Sequence, residues 1–182
     1  ATAAYDYVVA FRPLAMQVVA IGAGGNYWLG SSVKGGGSGY CSSANFTTLP
    51  SANATLTINV NVGQTTSGDG QPSTANIPQY IPTTITANGG RSGTYYPYPY
   101  GQNYGSNALF GTGFAAAVQG NGTSEAYKPC GSLSIWKELA DKSVSGTFSG
   151  VGGGGGKDKV NGYLHQPQPG AVFLLIRGVI YY

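Results

Sequence analysis

Ala54-Thr55-Leu56-Thr57-Ile58-Asn59-Val60-Asn61-Val62-Gly63 is the stretch that decides the class of fold. Apolar Leu56, Ile58, Val60 and Val62 alternate with polar Thr57, Asn59 and Asn61, and a period of two sends the two sets to opposite faces of an extended chain. One face is therefore dry and the other wet, which predicts a half-buried strand of an antiparallel sheet. Outward from this element, residues 5–11 and 17–21 are β-branched runs, the second closing on Gly22-Ala23-Gly24-Gly25. Residues 83–87 predict a shorter strand that ends at Asn88-Gly89-Gly90. Residues 171–180 are apolar apart from Arg177 and Gly178, the pattern of a strand covered on both faces. Only residues 134–142 read as helix, with Ser134 as cap and Ile135/Leu139 and Trp136/Ala140 spaced by four. The expectation is one mostly β, sandwich-like domain over residues 1–182 with a single short helix, residues 1–16 serving as an attachment or exchange strand.

Glycine supplies 31 of the 182 residues, in clusters at 22–25, 35–39, 89–93 and 152–156. No Gly-X-Y period runs through the chain, which excludes collagen. Two readings of the clusters compete. Glycine-rich chain can be flexible linker, because ordering it costs the most backbone entropy. Yet each cluster abuts a strand, and without Cβ atoms neighbouring extended threads can approach closely enough for their amides to hydrogen-bond directly. The second reading, packed threads, accounts for the placement better. It assigns structural roles to Gly22, Gly24, Gly25, Gly89, Gly90, Gly152, Gly153, Gly154, Gly155 and Gly156.

Leu, Ile, Val and Phe together make only 37 residues, but the 15 charged side chains leave a net charge of only +3, so self-repulsion cannot hold the chain open. Between residues 35 and 124 the only charges are Asp69 and Arg91, whereas nine of the fifteen fall in residues 125–159. A surface of hydroxyls and amides suits an extracellular or virion protein that meets sugars. The scattered basic residues form no phosphate-gripping face, so nucleic acid is not an expected partner. The longest apolar run, residues 171–176, is far short of the ~20 residues of a membrane-spanning helix. Cys41 and Cys130 lie outside any C-x-x-C pair and give no zinc pattern; they are either two thiols or one long-range disulfide.

Motifs that could suggest an enzyme fail in detail. Residues 17–27 begin as a dinucleotide fingerprint, but Tyr27 holds the third glycine position and no helix pattern follows to receive a phosphate. Residues 152–157 imitate half a P-loop, yet Val151 replaces its first glycine and Asp158 follows Lys157 where Ser or Thr is required. His165 is the only histidine and has no nucleophile elbow to serve. Glu138 and Asp141 sit beside Lys137 and Lys142, as on a solvated helix face. The sequence thus predicts no catalysis, no metal and no cofactor.

Five of the ten residues from Tyr95 to Tyr104 are tyrosine: Tyr95, Tyr96, Tyr98, Tyr100 and Tyr104, with Pro97 and Pro99 between them. Proline stiffens this segment, and so many rings cannot all enter one core. Tyrosine offers large contact area at low entropy cost, so the block reads either as a binding surface or as a brace over the glycine threads.

The order of segments resembles the glycine-rich domain of bacteriophage tail fibres and tip adhesins. The residues that carry it are Val18-Val19-Ala20-Ile21-Gly22-Ala23-Gly24-Gly25, then the Leu56–Gly63 strand, then Thr84-Ile85-Thr86-Ala87-Asn88-Gly89-Gly90, the run Gly152 to Gly156, and Pro169-Gly170-Ala171-Val172-Phe173-Leu174-Leu175-Ile176. The resemblance implies polyglycine-II threads stacked in a layer, with loops at one end touching a host receptor, glycan or protein. It also implies a virion or extracellular location and other virion subunits or further copies of the chain as partners. Two other classes fit the residues. One is a subunit of an extracellular filament or surface layer, assembled by strand addition through residues 5–11 or 171–182. The other is a secreted lectin-like domain, for which the N-x-[ST] triplets at Asn45, Asn53 and Asn121 would matter.

Overall fold

The computed structural model describes residues 2–29, 33–34, 36–37, 39–93, 103–104, 143–144, 147–148, 152, 154–157 and 164–178. Among them the strands are β1 (Thr2–Val8), β2 (Pro13–Ile21), β3 (Trp28–Leu29), β4 (Val33–Lys34), β5 (Cys41–Asn45), β6 (Thr55–Asn61), β7 (Ser73–Asn76), β8 (Ile85–Ala87), β9 (Asn103–Tyr104), β10 (Ser143–Val144), β11 (Thr147–Phe148), β12 (Gly156–Lys157), β13 (Leu164–His165) and β14 (Ala171–Gly178). Two four-stranded sheets, ordered β1-β6-β7-β8 and β14-β2-β5-β9, form a sandwich; every pair is antiparallel except β5–β9. No α-helix occurs among the described residues, and the helix expected over 134–142 lies outside them.

β6 keeps the alternation that its sequence dictates. Leu56, Ile58 and Val60 are buried, while Thr55, Thr57 and Asn59 are exposed. Across the sandwich Met16, Val18 and Ala20 of β2 meet them, joined by Ala75, Ile77, Ile81, Ile85 and Ala87. Phe46 closes one end of this core by stacking on Tyr80, with ring centroids 5.6 Å apart.

The doubly covered strand is β2, not the one near the C-terminus. All of Met16 to Ile21 are buried, and Gln17, on the face opposite the core, is held by a 3.0 Å hydrogen bond from its Nε2 to Asn45 Oδ1 on β5. β14, expected to be covered on both faces, is an edge strand in which only Leu175 is buried. A continuous apolar run cannot by itself separate a central strand from an edge strand that borders a groove. Two other boundaries move by a few residues: the first strand is Thr2–Val8 rather than 5–11, and the 83–87 strand shortens to Ile85–Ala87. Residues 2–8 form β1, paired to β6, and residues 13–16 open β2.

Candidate interaction site at the thread tip

Strands that leave the sandwich in one direction do not turn back at its rim but continue as glycine threads. β2 runs into residues 22–26, β6 into 62–64, and β8 into 88–93; residues 36–37 and 39–40 lead into β5, 68–71 into β7, and 166–170 into β14. Gly152, Gly154 and Gly155 lie beside them, ahead of β12.

Thread 22–26 lies at the centre, and its hydrogen bonds repeat every three residues. Gly22 and Gly25 donate their N–H groups to the carbonyls of Tyr40 and Gly37, Ala23 and Asn26 donate to Gln71 and Gly68, and Gly24 donates to Gln168, all at 2.9–3.1 Å. In return Ala23 and Asn26 accept from Gly90 and Gly93, and Gly25 accepts from Gly155. A chain with three residues per turn points successive amides at 120° intervals, so one thread bonds several neighbours rather than two. This is the polyglycine-II arrangement. The outer threads also bond one another: Gly36 and Gly39 donate to Gly155 and Gly152, Gly37 and Tyr40 to Arg91 and Asn88, and Gly70 to Gly90.

Glycine is required by the closeness of these backbones. A Cβ on Gly22 would strike the carbonyl of Asn88, one on Gly39 the carbonyl of Gly22, and one on Gly154 the carbonyl of Gly36. Gly152 adds a second reason, because its φ of +71° lies in the left-handed region. Of the glycines singled out in the sequence, Gly22, Gly24, Gly25, Gly90, Gly152, Gly154 and Gly155 are buried, Gly89 is half-buried, and Gly156 opens β12. Gly153 lies outside the described residues.

At the far end the threads are joined by short hairpins and turns. β3 pairs with β4, β12 with β13, and β12 lies beside β4. The turn before thread 68–71 is tied by Thr66, whose Oγ1 donates to Asp69 O at 2.6 Å and accepts from Gly68 N–H at 3.0 Å. Asp69 Oδ1 in turn accepts from Ser92 N–H at 2.7 Å, locking this turn to thread 88–93. Asn26 Oδ1 accepts from Tyr27 N–H, and Gln166 Nε2 donates to Tyr27 Oη at 3.3 Å. On this frame Trp28, Leu29 and Leu164 are exposed, Leu29 by 61%. Polar turns hold the tip together while large apolar side chains face outward.

The sequence-predicted site residues fall as follows. Tyr95, Tyr96, Tyr98 and Tyr100 lie outside the described residues, as does Cys130. Tyr104 and Cys41 lie on adjoining strands, β9 and β5, with Ser42 registered to Tyr104 and Cys41 to Asn103. Sequence reasoning passed over Trp28 and Leu29, although two large side chains between the glycine clusters at 22–25 and 35–39 were a usable signal. After Gly25 the chain enters β3 and not a helix, which removes the dinucleotide reading. Among the described residues no cluster of His, Cys, Asp and Glu could hold a metal ion, and no helix is long and apolar enough to cross a membrane.

A family profile described as "Glycine-rich domain" matches residues 1–180. The chain belongs to that family. Its match extends over both the sandwich and the thread bundle. Among curated proteins, none matches the chain.

Proposed function

We propose that this glycine-rich domain is a recognition module, a receptor-binding or structural protein of a phage tail fibre that presents its thread-tip loops to a host-surface glycan or protein. The observation that carries this reading is the collection of exposed Trp28, Leu29 and Leu164 on hairpins fixed by the hydrogen-bonded threads. A bundle whose amides are satisfied by neighbouring threads holds its loops with little entropy left to lose on binding, which favours affinity from a small contact. Tyr95, Tyr96, Tyr98 and Tyr100, which lie outside the described residues, are proposed as further aromatic contacts. The reading assigns affinity to stacking and to hydroxyl or amide hydrogen bonds, and the Asp69 carboxylate is already engaged by Ser92.

Adsorption of the labelled protein to a panel of bacterial cells and to arrayed glycans tests this. Trp28→Ala, and separately Tyr98→Ala with Tyr100→Ala, should weaken binding by about tenfold or more, the loss typical of aromatic anchors, with little change between low and high salt. Undiminished adsorption by folded variants, or steep salt dependence, would move recognition away from the aromatic tip.

A further inference from the structure

β1 is the outer strand of its sheet, and nothing among the described residues pairs with its outer edge. Its only protection as an edge is the single charge of Asp6: Thr2–Val8 is seven residues long, unbulged and free of Lys and Pro. Val9, just beyond it, donates its N–H to Ala54 O and accepts from Asn53 N–H, so it faces β6. Ladder bonds alternate along an antiparallel pair, so Tyr7, Tyr5 and Ala3 also turn their N–H and C=O groups to β6. Those of Thr2, Ala4, Asp6 and Val8 point outward.

Tyr5 and Tyr7 stand opposite Ile58 and Leu56 and share their core-facing side, yet Tyr5 is 60% exposed. They line one wall of an apolar groove of about 500 Å³ whose other wall is Val172, Leu174 and Ile176 of β14. An occupant must therefore supply both a strand for the edge and apolar side chains for the groove.

We propose that the occupant is β1 of a second copy, paired antiparallel about a two-fold axis at Tyr5. If the core-facing sides of the two sheets are to remain continuous, paired residue numbers must have an even sum. A sum of ten pairs all seven residues, Thr2 with Val8, Ala3 with Tyr7, Ala4 with Asp6 and Tyr5 with itself. It sets the strand's only charge, Asp6, opposite a small neutral residue. Moving the axis to Asp6 would face two carboxylates and shorten the overlap, and moving it to Ala4 also shortens it. In the chosen register Ala4 and Asp6 exchange hydrogen bonds through outward-facing groups on both strands. Tyr5 meets its symmetry mate at a non-hydrogen-bonded position, where side chains approach most closely. The result is a continuous eight-stranded sheet, β8-β7-β6-β1 followed by its mate, with the second copy's tyrosines over the groove. This pairing stands independently of the receptor-binding reading.

Sedimentation velocity across a concentration series should show the full chain as a dimer at high concentration. Ala4→Pro removes an outward N–H that the monomer does not use, and should give a folded monomer with an unchanged circular dichroism spectrum. Under mild oxidation Tyr5→Cys should form a disulfide-linked dimer that wild type does not form, and Ala4→Cys, opposite Asp6, should not. Wild type that stays monomeric at the highest attainable concentration, a dimer that survives Ala4→Pro, or cross-linking through residue 4 in place of residue 5 would each overturn the pairing.

Discussion

The sandwich and the thread bundle are built from the same strands, continued end to end, but they are held together in opposite ways. In the sandwich the sheets meet through side chains. Leu56 is wholly buried against Met16 and Val18, and the backbone hydrogen bonds run within each sheet. In the bundle scarcely any side chains separate the backbones, and the bonds run from a central thread to neighbours on all sides. Apolar burial tolerates small changes of shape because side chains can repack. A lattice of direct backbone contacts has no such freedom, since the atom that a new methyl would strike is a carbonyl already engaged with its neighbours. The sandwich should therefore be most sensitive to losing volume, and the bundle to gaining it.

The largest effect is expected at the centre of the bundle. Gly22→Val inserts a branched side chain against Asn88 and Ala87 carbonyls, and overpacking plus broken thread bonds should cost about 4 kcal/mol. A stability loss in denaturant below that of a typical surface substitution would break the comparison. Leu56→Ala leaves a cavity in the sandwich and should cost about 3 kcal/mol, with the hydrogen-exchange protection of thread amides such as Gly24 falling only as far as global stability does. Selective loss of thread protection would show the two regions to be one packing unit. The junction lies between these in character. Buried Ser73 accepts the Gly63 N–H through its Oγ at 2.9 Å, so Ser73→Ala should cost about 1–2 kcal/mol by leaving that amide unsatisfied, and Ser73→Thr should recover part of it. The smallest effect favours stability: Asn53, at φ +64° in the turn before β6, should gain a few tenths of a kcal/mol as Asn53→Gly, read as a small rise in Tm.

The sandwich was more legible in the sequence than the site. β6 could be read because its period of two survives intact in Leu56, Ile58 and Val60, one residue per pleat. β14 was misjudged because its apolar side chains face a groove at the sheet edge, and hydrophobicity reports removal from water without saying which element removes it. The thread bundle was half legible. Glycine clusters abutting strands announce close backbones, but which thread bonds which depends on the order in which strands enter the two sheets, a long-range property that no local pattern carries. The tip was least legible, since Trp28 and Leu29 acquire meaning only when the hairpin holding them is found beside β12 and β13.

The three-residue repeat of the central thread also limits how such a domain can change in length. Inserting one residue into thread 22–26 would rotate everything beyond it by a third of a turn, aiming each donor at the wrong neighbour. Inserting three would restore every direction and lengthen the thread by roughly 9 Å. The added turn would still find no partners unless the surrounding threads grew by the same amount. Lineages that extend or shorten this bundle should therefore do so in coordinated steps of three residues across several distant parts of the chain, while the hairpins at the tip remain free to vary in length one residue at a time.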